Sequence, residues 1–162
     1  LNIGCGNSKL CEDLSEEGYE DITNVDFSTK VINIMEQTYK EKFPKMQFKV
    51  ADVLDMKEFQ SGTFNTILDK GTLDCILCGD NSVPNAAKMM SEIYRLLAPG
   101  GHYMVITYGD PEVRKKYLET QQWASLSVDK LAKPSAAVSA TLNADENDVK
   151  NFHYVYTMAK PK

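Results

Sequence analysis

The chain has 162 residues and a formal net charge of −5, from 18 basic against 23 acidic residues. Hydrophobic residues make up 43% and charged residues 25%, ordinary globular values that exclude disorder and low-complexity fibres. No apolar run approaches the ~18 residues of a membrane span, and an acidic chain is a poor match for a phosphate backbone, so neither a membrane nor a nucleic acid is the expected partner.

Leu1-Asn2-Ile3 reads as the end of a buried strand, and a strand this short predicts further residues upstream of it. Gly4-Cys5-Gly6 is a turn, with Asn7 or Ser8 capping a helix whose Leu10, Cys11 and Leu14 share a face and which Gly18 ends. Ile22 to Val25 is a second strand, ending in Asp26. Ser28 caps a second helix with Val31, Ile34, Met35 and Tyr39 at helical spacing, stopped by Pro44. Met46 to Val50 and Phe64 to Leu68 are the next strands, with a turn at Ser61-Gly62 between them. Ala86, Met89, Met90, Ile93 and Leu97 mark a strongly periodic helix, and Leu97-Ala98-Pro99-Gly100-Gly101 turns it into a fifth strand, Tyr103 to Thr107. Pro111 to Leu118 is a short helix.

The tail changes character. Trp123 to Val128 alternates like a strand, 129–149 reads as a mobile loop, and Phe152 to Met158 is an aromatic, β-branched strand. The alternation predicts an α/β fold: a parallel sheet with helices on both faces and a C-terminal antiparallel hairpin, in a single domain over 1–162. Ligands of such sheets bind beyond the carboxyl ends of the strands, so the residues just after each strand are the informative ones.

Those positions carry a pattern. Gly4, Cys5, Gly6 and Asn7 follow the first strand, where two glycines permit a tight turn and close approach of a ligand. Asp26, with Phe27 and Ser28, follows the second, where an acid can accept both hydroxyls of a ribose. Asp52 and Val53 follow the third and suit an adenine amino group and ring. Asp69 and Lys70 follow the fourth, in the run Asp69-Lys70-Gly71-Thr72. The conjunction points to an adenosine-type ligand. A dinucleotide loop would read G-x-G-x-x-G, but the third glycine position holds Lys9, which favours a phosphate-free, cationic sulfonium ligand over a nicotinamide or flavin.

These runs, with Leu97-Ala98-Pro99-Gly100-Gly101, resemble a class I S-adenosylmethionine-dependent methyltransferase. Gly-Cys-Gly-Asn-Ser at 4–8 and Asp-Lys-Gly-Thr-Leu-Asp at 69–74 resemble the group that includes the elongation factor 1A lysine methyltransferases. The resemblance covers residues 1 to about 107. It implies a Rossmann-like fold, S-adenosyl-L-methionine as cofactor, a protein lysine as acceptor and an N-terminal cap segment preceding the first strand. It further implies that Gly4 and its neighbours approach the methionine part, that Asp26 and Phe27 hold ribose and adenine, and that Asp52 and Val53 contact the adenine. Asp69 and Lys70 would close the site beside the methionine and the methyl. Apart from the resemblance, Asp69 is the candidate catalytic residue that orients the amine, or else it hydrogen-bonds the cofactor's amino group or the local backbone.

Alternatives stay open. The same cofactor site serves small-molecule acceptors, and a nicotinamide-dependent oxidoreductase or a non-catalytic nucleoside-binding subunit shares the fold. Tyr108 faces the acceptor, packs against a cation or is an ordinary half-buried aromatic. Cys5, Cys11, Cys75 and Cys78 read as buried thiols of a reducing, cytoplasmic compartment, and neither His102 nor His153 stands at zinc-ligand spacing, so no metal is expected. Residues 143–148 form an acidic run that reads as a solvated loop or as an attractor for a basic protein. The pattern assigns no oligomeric state.

Overall fold

The computed structural model describes residues 1–133 and 152–162. The elements in chain order are β1 (Asn2–Ile3), α1 (Leu10–Glu16), β2 (Thr23–Asp26), α2 (Thr29–Tyr39), β3 (Gln47–Val50), β4 (Phe64–Lys70), α3 (Thr72–Cys78), α4 (Ser82–Leu96), β5 (Leu97–Thr107), α5 (Pro111–Leu118), β6 (Ser125–Ala132) and β7 (Phe152–Ala159). The strands form one sheet in the order β3-β2-β1-β4-β5-β7-β6. The first five run parallel, and β7 lies antiparallel between β5 and β6. The strand order reverses direction at β1, between β2 and β4, which makes that edge the switch point where a crevice opens.

Two apolar clusters hold the layers. The larger joins Ile3, Val25, Ile67, Tyr103, Val105, Tyr154 and Tyr156 of the strands to Leu73 of α3, Met89, Met90 and Ile93 of α4 and Leu118 of α5. The smaller joins Cys5, Ile22 and Phe48 to Cys11 of α1 and Ile32, Met35 and Tyr39 of α2. Helices therefore lie on both faces, but unevenly. On the α1–α2 side, Leu68, Met104, Ile106 and Val155 stay only partly buried.

Most elements fall where the pattern predicts, and the differences have local causes. Ser28 caps α2, its Oγ accepting from the Val31 amide at 3.3 Å. Ile32 and not Ile34 faces the core, since Ile34 is 51% exposed. Helix α2 ends at Tyr39, five residues ahead of Pro44. The side chain of Ser8 accepts from the Leu10 amide, while the first helical turn starts at Lys9 without a side-chain cap. Strand β6 runs on to Ala132, into the stretch expected to be loop, because every residue from Ser125 to Ala132 finds a partner on β7. The rest of that loop, with the acidic run 143–148, lies outside the described residues. Helix α3 was not anticipated: its seven residues, Thr-Leu-Asp-Cys-Ile-Leu-Cys, carry no amphipathic period long enough to separate helix from strand.

Candidate active site

The carboxyl ends of β1, β2, β3 and β4 surround a cavity of about 370 Å³ lined by Gly4, Asp26, Phe27, Ala51, Asp52, Val53, Lys70, Gly71, Thr72, Cys75 and Ile76. Gly4 has φ +57°, and a Cβ there would collide with the Thr72 side chain, whose Oγ1 donates to the Ile3 carbonyl at 2.9 Å. The first turn is thus pressed against the start of α3, which only glycine permits.

Asp26 is buried and carries the next turn. Its Oδ2 accepts from the Gly6 amide at 3.0 Å and its Oδ1 from the Ser28 amide at 2.9 Å. A carboxylate has about four lone-pair sites. Two of Asp26's are used by backbone, which fixes its orientation and leaves acceptor capacity toward the cavity it lines. Phe27 beside it is 82% exposed, an unusual state for a large ring at a cavity wall.

The loop after β3 carries Asp52 and Val53. Asp52 Oδ1 accepts from the Leu54 amide at 2.9 Å. Helix α4 clamps the same loop: Glu92 accepts from the Met56 amide at 2.8 Å, and Arg95 donates to the carbonyls of Met56 at 3.0 Å and Phe59 at 2.9 Å. The clamp ties the stretch that follows Asp52 and Val53 to α4.

Asp69 points inward and does not line the cavity. It is 1% exposed, accepts from the amides of Thr72 at 2.7 Å and Leu73 at 3.1 Å, and accepts from the Tyr103 hydroxyl at 2.9 Å. Burial is the largest influence on it and raises its carboxyl to about 6. The Asp69-Lys70-Gly71-Thr72 run thus has a structural logic. Asp69 caps the first turn of α3, Gly71 takes φ +84°, Thr72 ties α3 to β1, and Lys70 is left exposed at the cavity wall.

Of the residues singled out in the sequence, Gly4, Asp26, Phe27, Asp52, Val53 and Lys70 come together around the cavity. Gly6 and Ser28 hold Asp26 through their amides. Cys5 turns its side chain into the smaller core cluster, and burial raises its thiol to about 12, so it offers the cavity no thiol chemistry. Asn7 is exposed and stands off the wall. Sequence reasoning missed Cys75 and Ile76 because it missed α3. Once Thr72 starts a helix, positions three and four further on share its face. Cys75 and Cys78 are exposed and only Cys5 and Cys11 are buried, which corrects the reading of all four as buried; all four are free thiols. Among the described residues no group of three His, Cys, Asp or Glu is placed to hold a metal, and no helix is long and apolar enough to cross a membrane.

A 3-2-1-4-5-7-6 sheet with its cavity at the β1–β4 switch point has the architecture of a class I methyltransferase. The chain belongs to the methyltransferase domain family, whose model matches residues 1–159. It is 39% identical over 118 residues to the eEF1A lysine and N-terminal methyltransferase of Bos taurus, covering 72% of this chain and 17% of that protein. It is 34% identical over 125 residues to the EEF1A lysine methyltransferase 4 of Mus musculus, covering 72% of this chain and 48% of that protein. The chain therefore spans less than half the length of these relatives. In fold it resembles the Haemonchus contortus phosphoethanolamine N-methyltransferase 2 solved with S-adenosylhomocysteine (TM-score 0.70, 15% identity, 99% of this chain and 48% of that one). It also resembles the geranyl diphosphate C-methyltransferase of Streptomyces coelicolor (TM-score 0.68, 17% identity, 99% and 72%).

Proposed function

We propose that this chain is the catalytic core of an S-adenosylmethionine-dependent protein methyltransferase whose acceptor is a lysine of an elongation-factor-type protein. The observation that carries the reading is Asp26, whose two backbone bonds leave two acceptor sites facing a cavity beside an exposed phenyl ring. Those are the needs of a ribose diol next to a purine. The cavity wall bears two carboxylates, Asp26 and Asp52, against one cation, Lys70, so its balance suits a positively charged ligand without phosphates. The acceptor class follows from the relatives' names and from the run at 69–74.

The residues divide the work. Asp26 would bind the ribose, Phe27 and Val53 would sandwich the purine, and Asp52 would accept from its amino group. Gly4 and Gly71, whose backbones approach the cavity without side chains, leave room for the amino-acid tail, and Lys70 would pair with the tail's carboxylate. Asp69 has no contact with the cavity and acts as a positioning residue, holding the turn that presents Lys70 and Gly71. Held by Asp26, Phe27, Asp52, Val53 and Lys70, the cofactor would supply an electrophilic methyl to the neutral nitrogen of the acceptor amine, with its sulfur as the leaving group and the amine's proton passing to water. The chain's part is alignment, the source of most of the acceleration in such displacements. A cytoplasmic location fits both the acceptor and the four free thiols.

A thermal-shift titration tests the reading. S-adenosylhomocysteine at 100 times its Kd should stabilise the protein by about 2.7 kcal/mol, and NAD should leave it unchanged. Asp26→Ala should weaken S-adenosylhomocysteine binding by about 1–3 kcal/mol, measured by calorimetry, because a buried hydrogen-bonded pair loses its acceptor. Stabilisation by NAD alone, or an unchanged affinity in the Asp26 variant, would overturn the assignment.

A further inference from the structure

Tyr108, the first residue beyond β5, is 52% exposed yet held at three points. Its amide donates to Asp74 Oδ2 at 3.4 Å. Its ring lies under the Arg114 guanidinium at 5.1 Å, and its hydroxyl is 3.6 Å from Cys78 Sγ. Two of the groups that hold it, Asp74 and Arg114, are themselves buried, while Cys78 is exposed. Arg114 Nη2 pairs with Asp74 Oδ1 at 2.6 Å, with side chains 7% and 10% exposed. Thr107 Oγ1 donates to the same carboxylate oxygen and accepts from the Gly109 amide at 3.0 Å. The Tyr156 hydroxyl donates to the Gly109 carbonyl at 2.9 Å, and a Cβ on Gly109 would run into Arg114. A buried ion pair is a weak source of stability, so its use to immobilise one exposed ring calls for a reason beyond packing.

The location supplies one. Lys70 pairs with Ile106 in the sheet, so Tyr108 stands two residues beyond the level of the cavity wall. Cys78 lies one helical turn past Cys75, which lines the cavity. Asp26, Phe27, Asp52 and Val53 occupy the β2–β3 side; Lys70, Gly71 and Thr72 occupy the β4 side. A ligand with its purine on the first side carries its methyl toward the second. An in-line nucleophile then arrives from the β4–β5 edge, where Tyr108 stands. The contact with Cys78, followed by partial burial, raises the Tyr108 phenol above its ordinary value, so it meets an acceptor as a neutral hydroxyl.

We propose that Tyr108 is the acceptor-binding residue of the site, its free ring face packing on the methylene stem of the incoming lysine and its hydroxyl accepting a hydrogen bond from the neutral amine. The bond turns the nitrogen lone pair toward the methyl. Asp74 and Arg114 are positioning residues that fix the ring. This inference rests on the methyltransferase reading above and adds the residue that receives the acceptor.

The test uses the whole chain, tritiated S-adenosylmethionine and purified elongation factor 1A. Tyr108→Phe keeps the stem contact and loses the hydroxyl, so kcat should fall about tenfold or more while KM stays within about threefold. Tyr108→Ala loses both, so KM should rise as well. Both variants should bind S-adenosylhomocysteine within about twofold of wild type, which also reports that they fold. Labelling of the factor at wild-type rate by both variants overturns the inference and leaves the cofactor assignment intact. If the wild-type chain binds S-adenosylhomocysteine but transfers no label to the factor, the lysine seat falls together with the acceptor assignment. If it binds none, the methyltransferase reading itself fails.

Discussion

Asp69 shows how far a single carboxylate can be read. Its place after the fourth strand is plain in the sequence, and a role beside the methyl is a natural expectation. The structure turns it inward, onto Thr72, Leu73 and Tyr103. Its burial has a measurable consequence. Its folded carboxyl titrates near 6 against an ordinary 3.8, so between those values the folded state binds the extra proton. Stability contributed by that protonation is present below about pH 4, is lost as pH rises through 6 and stays lost above. Relative to Asp69→Asn, which cannot titrate, wild type should lose up to about 3 kcal/mol of unfolding free energy between pH 4 and pH 7, read by urea denaturation. A flat difference would mean that the carboxyl is solvated. Asp26 is the opposite case: its place at the end of the second strand is legible in the sequence, and the structure keeps it at the cavity wall, held by the Ser28 amide two residues on and by the Gly6 amide of the first turn.

Among the elements, the least legible is the one that completes the site. Helix α3 is short, Gly71 just ahead of it is left-handed, and the acceptor for its first amides is Asp69, inside the preceding strand. None of this resembles an ordinary helix start. Tertiary contacts hold it instead: Thr72 to β1, Leu73 in the core and Asp74 to α5 through Arg114. Removing one partner of that last pair strands a buried charge. Asp74→Asn and Arg114→Met should each cost about 3–5 kcal/mol in denaturant unfolding, and the double variant should cost clearly less than their sum. Additive losses would mean the pair is not coupled. Helix α2 teaches the same lesson on a smaller scale. Val31, Ile32, Ile34, Met35 and Tyr39 offer more than one apolar stripe, and only the neighbouring sheet decides that Ile32, Met35 and Tyr39 are inside, Val31 packs at their margin and Ile34 is exposed.

At the scale of the whole molecule, the cavity sits where the chain reverses its direction of winding, so it collects residues from four strands and one helix that are far apart in sequence. A ligand there ties these segments to one another. Amide exchange should register this. The amides of Gly6 and Ser28, both bonded to Asp26, should slow by roughly 100-fold when S-adenosylhomocysteine is present at 100 times its Kd, if their opening destroys the site. Amides of β6, at the far edge of the sheet, should keep their rates. Equal slowing along β6 would show that the ligand acts through global stability instead.

Local pattern alone laid out the strands and helices along the chain with the exception of α3, the parallel core with its antiparallel close, and six of the residues around the cavity. Periodicity and turn chemistry are local, and strand ends in such a sheet all face one edge. Tertiary structure decided what local rules leave open: that Asp69 supports α3 and does not face the ligand, that Cys75 and Cys78 are exposed while Cys5 and Cys11 are buried, and that Tyr108 is fixed by a buried ion pair. Each of these depends on which distant residue arrives to satisfy a charge or fill a space, and packing of remote segments settles that.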